Sequence, residues 1–111
     1  MSDISDEKIK DLKRDVDINE PPDEAGYISI VGFNFTPEIL NVAVGTEVVW
    51  SNDDSNNHQI ESDSNKVNYK SDLLYPGENF TYVFNDSGEY SYHCSIHSEE
   101  KGKVVVEDYY Y

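Results

Sequence analysis

The chain holds one cysteine, Cys94, and one methionine, Met1, in 111 residues. A single thiol excludes an internal disulfide framework, so bridges say nothing about redox compartment. Basic residues are also scarce: 8 Lys and Arg stand against 23 Asp and Glu, a net charge of −15. That imbalance argues against nucleic acid and anionic membrane surfaces as partners. Two readings of the acid stay open, solubility in a salty or acidic habitat and steering toward a basic partner. No apolar run reaches the length of a membrane span, and no secretory signal or lipidation motif is visible. The charged start reads as the region after a removed leader or anchor, with Met1 added. Any membrane attachment is then expected only through that removed N-terminal segment.

The length fits one domain with a modest core, to which a bound metal would add stability. Residues 1–26 carry nine acidic and four basic side chains. Ser5 is placed to cap a short helix through about Arg14. The apolar face of Ile4, Ile9, Leu12 and Val16 is thin, so an acidic tail or linker is expected, closed by Pro21-Pro22. From Tyr27 the pattern becomes short strands. Ile28 to Phe35, Ile39 to Val44, Glu47 to Trp50 and His58 to Glu61 are the first four. Phe80, Tyr82 and Phe84 alternate with polar or small neighbours, as do Tyr90, Tyr92 and Cys94, and Gly102 to Glu107 closes the series. Seven or eight short strands punctuated by Gly, Pro, Asn and Asp predict an all-β antiparallel sandwich or barrel. The domain is expected over 27–107, with 108–111 as a tail. The polar stretch from Ser62 to Lys70 is left as a small helix or an excursion.

The chemistry concentrates in Tyr92-His93-Cys94-Ser95-Ile96-His97-Ser98-Glu99-Glu100-Lys101-Gly102, which holds the only cysteine and two of three histidines. A thiolate and an imidazole three residues apart on a loop can reach one metal ion, and His58 is the best third donor. Two His and one Cys with a weak or missing axial ligand suit copper electron transfer. Taken alone, His58 in its Asn- and Asp-rich loop reads as a surface histidine, and a lone Cys94 as a small buried side chain. Together with His97 they read as a metal trio. Strand alternation points His93 away from Cys94, toward a surface or edge role.

Gly32-Phe33-Asn34-Phe35-Thr36-Pro37, Val44-Gly45-Thr46-Glu47-Val48-Val49-Trp50-Ser51-Asn52, His58, Pro76-Gly77-Glu78 and Tyr92-His93-Cys94-Ser95-Ile96-His97 together resemble a small cupredoxin of the plastocyanin and amicyanin type. The resemblance spans roughly Tyr27 to Glu107 and implies a Greek-key β-sandwich with one copper, cycling between Cu(I) and Cu(II), at one end. It implies that His58, Cys94 and His97 bind the metal and that Asn52 ties the two ligand loops together. The Gln59 backbone N–H is expected to donate to the Cys94 sulfur, a bond that would orient and tune that ligand. It also implies redox partner proteins and a location outside the cytoplasm.

One position departs from the pattern. Where such small cupredoxins place an axial methionine, immediately before Lys-Gly, this chain has Glu100. Glu100 is left with three roles: binding copper directly, approaching through water, or turning to solvent. In this respect the chain resembles the red and purple copper proteins of ammonia oxidisers, and especially the open-site cupredoxins of ammonia-oxidising archaea. Two functions follow. The first is a single-electron carrier that passes electrons at the exposed edge of His97. The alternative is an open copper site that binds and oxidises a small molecule such as nitric oxide to nitrite, with Glu100 or Glu99 as base. Copper storage suits a rigid trio less well, and three strong donors are too few for structural zinc. Tyr109-Tyr110-Tyr111 reads either as a docking element or as a truncated junction.

Overall fold

The computed structural model describes residues 26–108. The acidic tail, its Ser5 helix start and the Tyr109–Tyr111 end lie outside the described residues. Eight strands follow one another: β1 Gly26–Val31, β2 Asn34–Thr36, β3 Ile39–Ala43, β4 Thr46–Asn52, β5 Ile60–Ser62, β6 Asn79–Phe84, β7 Gly88–Cys94 and β8 His97–Glu107. No helix occurs among the described residues. The strands form two four-stranded sheets, ordered β2-β1-β4-β6 and β3-β8-β7-β5.

This is the all-β sandwich of eight strands that the sequence predicts, with three differences in detail. The run from Ile28 to Phe35 splits into a hairpin, because Gly32 and Phe33 both sit in the left-handed region (φ 61° each) and reverse the chain. The pairing is mixed rather than purely antiparallel: β1 runs parallel to β4, and β3 parallel to β8. The chain crosses to the other sheet between those strands, so it returns to its neighbour in the same direction. The stretch from Ser62 to Lys70 is the excursion and not the helix, tied back by a bridge between Glu61 and Lys70.

Period-two alternation fills the space between the sheets. Ile28 and Ile30 of β1, Val48 and Trp50 of β4, Tyr90, Tyr92 and Cys94 of β7, and Val104 and Val106 of β8 are all buried. Trp50 is the hub. Its ring meets Tyr92 edge-on at 5.3 Å and lies 5.7 Å from Tyr69 and 5.6 Å from Phe80. Aromatic pairs of this kind contribute about 0.5–1.5 kcal/mol each beyond their area burial.

Gly102 is needed where it stands. Opposite Tyr92 in the β7–β8 ladder, it leaves room for the phenol, and a Cβ there would overlap Tyr92 Oη. Because Tyr92 is fully buried, it has nowhere to move. Gly102→Ala is expected to cost about 1–3 kcal/mol by overpacking, seen as a drop in the denaturant midpoint at unchanged slope.

Burial also raises the pKa of the Tyr69 and Tyr92 phenols well above the ordinary value of 10.0. Folding therefore favours their protonated forms. That stability is fully present below pH about 10 and is lost as pH rises above it, by about 1.4 kcal/mol per pH unit for each phenol. Urea midpoints between pH 8 and 12 should fall from about pH 10 upward, and less steeply in Tyr69→Phe.

Candidate metal centre

The β7–β8 hairpin builds half of the site. β8 begins at His97, and Cys94 pairs with His97 across the two-residue turn Ser95-Ile96. Alternation along β7 puts His93 on the outer face, 2.7 Å from Asp63 Oδ1, while Cys94 is buried inside. The register shifts where His93 pairs with Lys101 and Cys94 with His97, so Ser98, Glu99 and Glu100 fall between those partners on β8. His97 Nδ1 lies 3.5 Å from Cys94 Sγ.

β8 also delivers Glu100. Its side chain falls on the same inward phase as Gly102, Val104 and Val106, and is only 1% exposed. The structure therefore turns Glu100 inward, away from solvent. Its Oε1 lies 2.9 Å from His58 Nδ1 and 3.6 Å from His97 Nδ1, while Oε2 is buried without a hydrogen-bond partner.

The other half comes from the loop after β4. His58 is completely buried and is fastened by two backbone hydrogen bonds to Leu74, with His58 N donating at 3.0 Å and Leu74 N returning at 2.7 Å. Asn52 secures this loop from within. Its side-chain amide donates to Asn56 O and to Leu74 O, and its Oδ1 accepts from Asp54 N. These bonds correct the expectation that Asn52 joins the two ligand loops. That tie is made instead by Gln59 and Ser95. Ser95 N donates to Gln59 O at 2.9 Å, and Ser95 Oγ donates to Gln59 Oε1. The physical reason is burial: Asn52 is enclosed beneath its own loop, and its polar atoms are satisfied there. Gln59 N donates to Cys94 Sγ at 3.4 Å, as the resemblance implied.

Sequence reasoning missed Asp54. Its Oδ2 accepts from His58 Nε2 at 3.0 Å and from Phe33 N at 3.3 Å, and its Oδ1 accepts from Ser55 N at 2.9 Å. Partial burial pushes its pKa up, but hydrogen bonds from His58, Ser55 and Phe33 outweigh that and lower it below 3.8. Asp54 thus supports a proton on His58 Nε2, which would leave Nδ1, the atom on the side of Cys94, His97 and Glu100, to face a bound cation. The only sequence hint was an acid four residues before the histidine. Phe33 completes the shell, its ring edge-on to His97 at 4.9 Å and to His58 at 5.8 Å.

The donor atoms of His58, Cys94, His97 and Glu100 all lie within 4.8 Å of one another. Their chemistry fits a cation. Burial raises the pKa of the Cys94 thiol, and the neighbouring Glu100 adds to that, against the Gln59 and Ile96 backbone N–H groups. A buried carboxylate oxygen without a partner is costly as well. A metal ion would stabilise thiolate and carboxylate together and take the place of the proton that the His58–Glu100 contact requires.

Among known families, a model of the Cupredoxin-like domain matches residues 9–106. The chain belongs to the cupredoxin family. The amicyanin of Paracoccus denitrificans is 30% identical over 91 residues, covering 79% of this chain and 70% of the relative. Among solved structures, a purple cupredoxin from Nitrosopumilus maritimus superposes with a TM-score of 0.69 at 33% identity, covering 74% of this chain and 99% of that one. An amicyanin variant in the Cu(I) state gives 0.70 at 28% identity, covering 75% and 82%. Cupredoxins hold one copper ion, and the thiol and two imidazoles gathered here are the soft and intermediate donors that suit it.

Asp54→Asn keeps the loop's shape but removes the charge that fixes His58. Metal affinity in a chelator competition should fall roughly tenfold. An unchanged affinity would reduce Asp54 to a loop residue.

Proposed function

We propose that His58, Cys94 and His97 would hold one copper ion, with Glu100 Oε1 as the further donor beside them, and that the protein carries single electrons between redox partner proteins. The convergence of four donor atoms within 4.8 Å on a buried, doubly braced frame supports this reading above all. Bound copper would supply a one-electron Cu(I)/Cu(II) couple. The chain's task is to hold its donors still while charge changes, and both sheets contribute. Cys94 and His97 are locked by strand pairing, and His58 by Leu74, Asn52 and Asp54. Gln59 N–H tempers the charge on the sulfur.

His97 is the donor that reaches the surface, with its side chain 32% exposed. Exposed Ile96 and Phe33 flank it, an apolar rim that a partner can desolvate at low cost. The net charge of −15 then favours basic partners at low ionic strength. As in the family at large, a location outside the cytoplasm goes with this role.

Glu100 sets the character of the site. A carboxylate is a harder donor than a thioether and stabilises Cu(II) over Cu(I). The wild type should take up one equivalent of copper(II) with an intense sulfur-to-copper absorption that Cys94→Ser abolishes. Glu100→Met should raise the reduction potential and shift the absorption. Absence of any such band in the wild type would sink the copper assignment, and a potential unchanged in Glu100→Met would take Glu100 out of the coordination.

A second reading, small-molecule chemistry, draws on a cleft of about 490 Å³ between the Gly32–Asn34 turn and His97–Glu100. Nitric oxide plus water would yield nitrite and two protons, with the one electron passing to copper(II) if that were bound, and Glu99 and Glu100 are the bases at hand. Stoichiometric nitrite from nitric oxide under anaerobic conditions would favour this reading, whereas unperturbed spectra would leave the carrier.

A further inference from the structure

Phe33 stands where its own backbone disfavours it. The two-residue turn between β1 and β2 places both Gly32 and Phe33 at φ 61°. Glycine and asparagine suit such positions, whereas a bulky side chain is strained there. Nothing in the core requires the ring, which is 45% exposed. Its aromatic neighbours are the two imidazoles of the metal centre, His97 at 4.9 Å and His58 at 5.8 Å. It also forms one wall of the cleft that runs along His97, Ser98, Glu99 and Glu100. The strained turn is anchored to the site, since Phe33 N donates to the same Asp54 oxygen that accepts from His58 Nε2.

We infer that Phe33 is the lid of this cleft, the residue that determines which small ligands reach the His97–Glu100 side of the centre. The inference rests on the metal-binding reading above but concerns access rather than coordination. A ring packed edge-on against both histidines stands in the wall of the cleft that Glu100 also lines, and its bulk narrows the approach of small ligands to the centre. Local strain at a functional site persists only where surrounding contacts hold it, and the Asp54 hydrogen bond and the two ring contacts do so here. The carboxylates of Glu99 and Glu100 add repulsion toward anions, so bulk and charge act together on an anionic ligand and bulk alone on a neutral one.

The test compares wild type with Phe33→Gly and Phe33→Asn, both compatible with the left-handed turn, and with Phe33→Tyr, which keeps the ring. The glycine and asparagine variants should fold as stably as the wild type or more so, because strain is relieved. With copper(II) bound, azide and imidazole (the latter at a pH where it is neutral) should bind these two variants roughly tenfold more tightly by optical titration. Phe33→Tyr should stay near the wild type. In the metal-free protein, alkylation of Cys94 by iodoacetamide should accelerate severalfold in the glycine and asparagine variants. Equal azide and imidazole affinities in wild type and variants overturn the lid. Should the wild type take up no copper, the coordination reading falls, and the alkylation rates alone decide about Phe33: unchanged rates overturn the proposal.

Discussion

The pairing of Cys94 with His97 across the Ser95-Ile96 turn is the constraint on which this end of the sandwich depends. A two-residue turn leaves the two side chains little freedom, so thiol and imidazole are brought together by backbone hydrogen bonding rather than by attraction to an ion. The same hairpin sets the phase of β8. Lys101 and Gly102 pair with His93 and Tyr92, so Glu100 falls inward with Gly102, Val104 and Val106, and the register shift before it lets His97 face the same centre. One strand pairing thus places three of the four converging donors.

The fourth arrives on the loop that crosses between the sheets from β4 to β5 and needs more support. A loop as polar as Asn52–His58 has no apolar reason to enter the protein. It is pulled in by hydrogen bonds from Asn52 to Leu74, by the reciprocal His58–Leu74 pair, and by Asp54 on the outer nitrogen of His58. The outcome is a buried group of a thiol, two imidazoles and a carboxylate with one unsatisfied oxygen, which the metal-free protein tolerates at a cost in stability. Such arrangements cluster at functional sites, where a ligand can satisfy the buried groups. The strain at Phe33 belongs to the same pattern, local cost accepted where a side chain faces the centre.

The match to the cupredoxin family and the departure from its usual axial donor are therefore two outcomes of one geometry. The fold supplies a rigid end with a thiol and two histidines. Three residues beyond His97, the same strand places a buried carboxylate beside them without disturbing the sandwich. The acidity of the domain does not interfere, because among the described residues the acids outside the centre are largely at the surface, where solvent screens them.

Much of this was legible in the sequence, for physical reasons that can be named. Period-two alternation and turn residues determined the strands, because each inward side chain must find apolar company. Cys94, His97 and His58 stood out because a thiol and an imidazole at that spacing have few other uses. Placing the final strand's start at Gly102 rather than His97 left Glu100 on a loop with its direction open. Only the pairing of β8 with β7, a contact between strands, settled that it points inward. Asp54, Phe33 and the Gln59–Ser95 tie were out of reach for the same reason. Each acts on a residue distant in sequence or across a loop whose path local pattern does not encode. Residue types and their spacing named the atoms that could bind a metal, and contacts between distant strands and loops set which of them face one another, how deeply they are buried and what lies over them.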